Sequence, residues 1–265
     1  MDLERLLRER PKLHLNRDGV LTSWAAGDDV LRFIHDSIGL ESRTLETGAG
    51  LSTIVFALRG ARHTCVTPDA GEVERIRAFC EGHGVPLKTV TFVTKASQEA
   101  LPSLQPGALD LVLIDGSHGF PIPYLDWFYT APHLREGGLL VVDDLQLWTA
   151  HTLVDFLRLE PEWRDIGRLA GRTAVFQKVA ATAPKEWGFQ PFVVRHSDWA
   201  VLAGGFDPRR YRGVNWLKLP FQLARGLFVL LPLRQLGRAA KRTPGLRGFY
   251  ERFRGPGRLA RRAGR

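Results

Sequence analysis

The sequence predicts an α/β protein: a doubly wound, mostly parallel sheet of seven strands, ending in an antiparallel hairpin and followed by a basic C-terminal extension. Three observations carry this. Strand-like and helix-like segments alternate from Thr44 to Val179, which calls for parallel strands joined by crossover helices. Two segments, "LDLVLIDG" and "GGLLVVDD", are apolar without alternation, as strands covered on both faces are. Glycines and acids gather where strands stop, and in such sheets ligands bind outside those ends.

Each element has its own warrant. Residues 28–40, "DDVLRFIHDSIGL", put Val30, Leu31, Ile34 and Ile38 on one face of a helix, capped by Asp28 or Asp29 and ended by Gly39. "TLET" is a short strand and "LSTIVFALRG" the helix after it. "HTCVTP" is the second strand, and "AGEVERIRAFCEGHG" a helix closed by glycine. "KTVTFVTK" is the third strand and "SQEALPSL" a short helix, with Ser97 at its N-cap. The two apolar strands follow, with "YLDWFYTAPHL" helical between them and "HTLVDFLRLE" helical after. "WRDIGRLAGRTAVFQKV" reads as a hairpin turning at Gly171-Arg172. Beyond it, "ATAPKEWG" reads as a linker, and "FQPFVVRHSDWAVLAGG" as a strand or two returning to the body.

The 265 residues, 44% apolar, suffice for one substantial core. The expected organisation is a domain over 1–182 with a helical N-terminal cap, a linker with return strands over 183–207, and a basic, partly amphipathic tail over 208–265. Two cysteines, Cys65 and Cys80, suit a reducing compartment better than a disulfide framework. The charged opening "MDLERLLRERPK" gives no secretory signal, so a cytoplasmic protein is expected. Charge is unevenly placed: residues 208–265 hold 16 Lys+Arg and one acid, Glu251, which leaves 21 bases and 27 acids in residues 1–207. An acidic body with a basic tail points the tail, not the body, at an anionic partner.

Four motifs fall at strand ends. In "ETGAG", Gly48 would make a tight turn and Gly50 would let a ligand reach the backbone near a helix N-terminus. A dinucleotide fingerprint prefers a third glycine where this chain has Thr53, so the turn alone is also an ordinary strand-helix connection. "TKASQEALPSL" follows the third strand. "LIDGSHGF" puts Asp115 at the end of a buried strand, with His118 three residues on. "LLVVDDL" ends the next strand with Asp143 and Asp144; three carboxylates so close would repel unless a cation lay between them. Oxygen ligands favour Mg²⁺ or Ca²⁺ over zinc.

In order and spacing these segments resemble a class I S-adenosylmethionine-dependent methyltransferase, and within that superfamily the metal-dependent O-methyltransferases of the catechol O-methyltransferase type and the related bacterial group. The resemblance covers about Ser23 to Lys178. "LETGAGLST" matches the first motif, "KASQEALPSL" the adenine segment, "LVLIDGSH" the fourth motif and "REGGLLVVDDL" the strand-five motif. It implies a Rossmann-like fold and methyl transfer to a hydroxyl of a small-molecule or sugar-containing acceptor. Glu46, Gly48, Ala49 and Gly50 would line the methionine part of the cofactor, Ser52 would bind its carboxylate, and Ser97 and Gln98 would contact adenine. Asp115, Asp143 and Asp144 fall where the family holds Mg²⁺ or a similar divalent cation. His118 falls where catechol enzymes place a lysine base, and a histidine can do that work near neutral pH. Trp24, Trp127 and Trp148 would wall the acceptor pocket or serve as core.

Two departures stand out. The family grips the ribose with a carboxylate at the end of the second strand; here Thr67 holds that position and Asp69 is the first acid, so either Asp69 reaches back or the ribose is held otherwise. The catechol enzymes have Asp-Asn where this chain has Asp143-Asp144. Other readings are a catalytically silent or hydroxylase-like relative, a nucleic-acid methyltransferase suggested by the Arg-rich tail, and a non-enzymatic membrane-surface module using only the tail; "DGSH" lacks the Asn/Asp-Pro-Pro-Tyr pattern of base-modifying members, and the four motifs of the body argue against the last. The tail's apolar run between Arg225 and Arg234 is eight residues, far short of the roughly 20 that span a bilayer. Its apolar residues flanked by bases suit an anionic membrane surface at the inner face of the membrane. Packing on the body or on a second subunit of a homo-oligomer is the competing expectation.

Overall fold

The computed structural model describes residues 1–197. The tail over 208–265, and the part of the return segment from residue 198, lie outside the described residues. Residues 1–192 form one compact unit; a second begins at Val193.

The chain opens with helix α1 (Leu3–Glu9), capped by the Asp2 carboxylate, which accepts from the Arg5 N–H. A hairpin follows that the sequence reading did not contain: β1 (His14–Leu15) pairs antiparallel with β2 (Leu21–Thr22). Its turn is built by the Asn16 side chain, which accepts from the N–H groups of Asp18 and Val20. Helix α2 (Asp28–Ser37) starts after Gly27, so Asp28 and Asp29 lie in its first turn rather than at its cap. Negative charge there still complements the helix dipole. The helix stops at Ser37, ahead of Gly39, because Ile38 turns extended and is buried.

The sheet then builds as the alternation predicts. Strand β3 (Arg43–Thr47) leads to α3 (Leu51–Leu58), β4 (Arg62–Val66) to α4 (Ala70–Gly82), and β5 (Val90–Val93) to the short α5 (Ser97–Ala100). The Ser97 cap is corrected: Ala96 caps α5 and Ser97 is its first residue. Strand β6 (Leu109–Ile114), α6 (Ile122–Thr130), β7 (Leu134–Val142) and α7 (Trp148–Leu157) follow, and β8 (Trp163–Leu169) with β9 (Thr173–Lys178) makes the hairpin. The seven strands lie in the order β5-β4-β3-β6-β7-β9-β8, parallel from β5 to β7 and antiparallel beyond.

The apolar strands are apolar because both faces are covered. Leu111, Leu113 and Val141 face a core with α1 to α4, whereas Val112, Ile114, Leu140 and Val142 face one with α6 and α7. Lys178 is buried at the end of β9, where its Nζ donates to the carbonyls of Ala131 and Leu134. Past the hairpin, Lys185 ties the linker to Glu160 and Glu162. A helix, α8 (Pro191–His196), stands where a strand was expected. Proline fits the first turn of a helix, since its missing N–H is an orphan there anyway. Among the described residues, no helix is long and apolar enough to cross a membrane.

Candidate active site

The chain runs from β3 outward to β4 and β5, then returns to lay β6 on the other side of β3. At such a switch point the loops leaving two neighbouring strands part, and a crevice opens at their carboxyl ends. The predicted motifs sit on its rim: "ETGAG" ends β3, "DGSH" ends β6, "DDL" ends β7 and "ASQ" leads from β5.

The two glycines are explained first by protein. Gly48 has φ +91°, and a Cβ there would strike the carbonyl of Asp115. The β3 and β6 loops therefore touch through bare backbone, and Asp115 N–H donates to the Thr47 carbonyl at 3.1 Å. A Cβ on Gly50 would lie 3.2 Å from the ring of His14. His14 comes from β1, and its Nε2 lies 2.9 Å from both the Ala49 carbonyl and Glu72 Oε1. Trp24 N–H donates to its Nδ1, so Nε2 carries the proton that bonds outward. Burial opposes charge on His14, but its bonds to Glu72 and Ala49 outweigh that and raise its pKa.

Glu46 points beneath the glycine loop. Its Oε2 accepts from Ser52 Oγ at 2.6 Å, and its Oε1 from Thr53 Oγ1 and from His63 Nε2. Glu46 and Ser52, predicted to hold the methionine end, thus bond to each other at the start of α3. His63 is buried, stacked on Phe56, and bonded through Nδ1 to Thr44 Oγ1. Glu46, His63 and Cys65 have ligand atoms close enough to hold a metal ion, but their polar atoms are engaged within the chain. Burial, then the Glu46 charge, pushes the Cys65 thiol well above its ordinary range.

On the adenine side, Ser97 is buried and Gln98 exposed. The fully buried Asp126 of α6 lies beside Ser97 and Thr47; burial raises its pKa and those two hydroxyls pull it back. Thr67, buried at the tip of β4, donates to Glu72 Oε2 at 3.1 Å. Asp69 caps α4, accepting from Glu72 N–H, and pairs with Arg75.

The acidic cluster divides. Asp115, His118 and Asp144 bring their ligand atoms within 4.8 Å of one another. His118 Nε2 is 3.0 Å from Asp144 Oδ2. Asp143 is fully buried and faces the hairpin, where Thr173 Oγ1 and Arg172 Nη2 donate to it. Arg172 also lies 3.7 Å from Asp144. A cation therefore does stand among the three carboxylates, and it is a guanidinium the motif reading did not use. Burial pushes Asp115 well above the ordinary carboxylate range, with Asp143 and Asp144 adding to it; the His118 bond holds Asp144 below that range.

Of the tryptophans, Trp127 is core, edge-on to Phe156. Trp148, 67% exposed, faces Phe120 across 6.2 Å, and Trp24 leans on His14. Sequence reasoning missed His14, His63, Glu72, Asp126 and Arg172. Only Asp126 carried a visible signal, an acid on the otherwise apolar "YLDWFY".

Residues 45–145 match the model of a family described as a methyltransferase domain. No curated protein matches the chain. Among solved structures, the fold resembles the O-methyltransferase TomG from Streptomyces achromogenes, in complex with SAM, at 17% identity and TM-score 0.54, covering 66% of this chain and 89% of that one. It also resembles an O-methyltransferase from Bacillus cereus in complex with SAH, at 16% identity and TM-score 0.52, covering 67% and 90%. A cofactor-bound protein from MTB aligns at 21% identity and TM-score 0.53, covering 66% and 88%. The domain match runs from β3 to the "DDL" loop of the seven-stranded sheet, so residues 45–145 of this chain are similar to a methyltransferase domain, on a fold shared with solved methyltransferases.

Proposed function

We propose that this protein moves a methyl group from S-adenosylmethionine to a hydroxyl oxygen of a small-molecule or sugar-containing acceptor, assisted by a divalent cation. The observation that carries the reading is the cluster of Asp115, His118 and Asp144 beside the glycine loop, at the strand ends where the sheet splits. That two structural neighbours are O-methyltransferases supports oxygen as the acceptor atom.

The two carboxylates suit a hard cation, and burial first, then the charges of Asp143 and Asp144, push Asp115 toward protonation when no cation is beside it. Asp115 and Asp144 would hold the ion, which when bound lowers the pKa of a hydroxyl and orients it. The chain's own residues do the rest. His118 Nε2–H donates a hydrogen bond to Asp144, which leaves Nδ1 as the basic nitrogen. S-adenosylmethionine, when bound, would supply the methyl group to the acceptor oxygen, its carbon–sulfur bond electrons going to sulfur, and His118 Nδ1 would take the hydroxyl proton. Asp144 then steadies the imidazolium. Holding oxygen, carbon and sulfur in line is the main task, and such positioning supplies roughly 7–11 kcal/mol.

A panel of hydroxylated acceptors, incubated with methyl-labelled cofactor, tests this. Label on oxygen in at least one acceptor, lost in His118→Ala by roughly 10²–10⁴-fold in turnover, is expected. Transfer to nitrogen or carbon alone would overturn it.

A further inference from the structure

Thr67 leaves the cofactor's ribose without the carboxylate expected at the tip of β4. In nucleotide-binding sheets an acid about 20 residues past the glycine turn receives a ribose hydroxyl. Two acids stand near that distance, Asp69 and Glu72.

Asp69 is committed to its own helix. Its Oδ1 accepts from the Glu72 N–H at 3.0 Å and its Oδ2 pairs with Arg75 at 3.1 Å, and its side chain is 48% exposed. Glu72 is the reverse. It sits in the first turn of α4, yet it is buried and directed at the strand tip. Oε2 accepts from Thr67 Oγ1, and Oε1 accepts from His14 Nε2, which also bonds to the Ala49 carbonyl. One carboxylate thus links the end of β4 to the glycine loop after β3, the two elements that flank this side of the crevice. Among the described residues each of its oxygens has one side-chain partner, and a carboxylate offers about four acceptor positions. Two remain for a vicinal diol. The pairing also explains Thr67: a second carboxylate at that position would face Glu72 and repel it, whereas a hydroxyl donates to it.

We propose that Glu72, delivered from α4 and oriented by Thr67 and His14, receives the ribose hydroxyls of the cofactor, and that Asp69 does not. This rests on the cofactor reading above. The test is calorimetry of the full chain with S-adenosylhomocysteine and with its 2′,3′-dideoxyribose analogue. Wild type should bind the analogue roughly tenfold to a hundredfold more weakly, as the loss of hydrogen bonds to a charged group implies. Glu72→Gln should lose a similar factor with the parent ligand and discriminate little between the two. Asp69→Asn should keep both wild-type values. If Glu72→Gln proves unfolded by circular dichroism, Asp69→Asn decides: retained discrimination supports Glu72, lost discrimination overturns it. Equal binding of both ligands by wild type also overturns the assignment while leaving the cofactor reading intact. No binding of either ligand overturns both.

Discussion

His14 Nε2 lies 2.9 Å from the carbonyl oxygen of Ala49, so the N-terminal hairpin is fastened directly onto the glycine loop. The bond spans 35 positions of sequence and joins an element outside the main sheet to the turn that defines the site. His14→Ala would remove it, leave the buried Glu72 with one partner, and open space beside Gly50. Chemical denaturation should show a loss of about 1–3 kcal/mol. A variant as stable as wild type would mean the hairpin rests on the body without being held by this bond.

Gly48 makes a sharper demand. Its φ of +91° disfavours any side chain, and the Asp115 carbonyl occupies the space a Cβ needs. Gly19 has a similar φ of +74° but open space around it. Gly48→Ala should therefore destabilise clearly more than Gly19→Ala, which carries only the conformational cost of about 1 kcal/mol. Denaturant midpoints for the two variants check this, and equal losses would remove the backbone contact from the account.

The alternation of elements and the non-alternating apolar strands were legible in the sequence because burial on both faces leaves a one-dimensional trace. The strand-end positions of Asp115 and Asp143 were legible for the same reason. The partners were not. His14 reaches Ala49 and Arg172 reaches Asp143 through chain reversals that no local pattern encodes. Glu72 sits at an ordinary first-turn position, where acids usually serve the helix dipole. Its inward turn depends on Thr67 and His14, which only the fold brings together. The strand expected near Pro191 failed differently: "FVV" has strand composition, but the preceding proline starts a helix there.

The carboxylates give a pH dependence with a definite sign. Asp115 has its pKa raised in the folded chain above the ordinary 3.8. Its contribution is fully present at pH below that ordinary value and is lost as pH rises through the raised one. Asp144 is lowered, so its contribution is present above 3.8 and lost as pH falls through the lowered value. Asp115→Asn should therefore become more stable relative to wild type as pH climbs from about 4 toward neutrality. Melting temperatures of the two proteins across that range, in chelator, test it. A constant difference would show that the Asp115 charge is compensated.

Whether Arg172 or a metal ion supplies that compensation is decided by one further variant. The guanidinium is 3.2 Å from Asp143 and 3.7 Å from Asp144, and its Nη2 also donates to the Ala25 carbonyl. It offsets one of three negative charges. Asp143, fully buried, takes most of it, together with the Thr173 hydroxyl. Asp115 and Asp144 remain, facing His118, and that remainder is the part that suits a divalent ion. Arg172→Gln should lower stability, by less than the roughly 3–5 kcal/mol of a fully buried pair, because the Arg172 side chain is 40% exposed and Asp143 keeps its Thr173 partner. It should also bind Mg²⁺ more tightly, because a positive charge near the site repels the incoming ion, with the gain diminishing as salt is added. Thermal-shift titrations with Mg²⁺ on wild type, Arg172→Gln and Asp115→Asn separate the cases. The expected order of affinity is Arg172→Gln above wild type, with Asp115→Asn weakest. If Mg²⁺ shifts none of the three, and chelator leaves methyl transfer unchanged, Arg172 is the resident cation and the ion drops out of the mechanism.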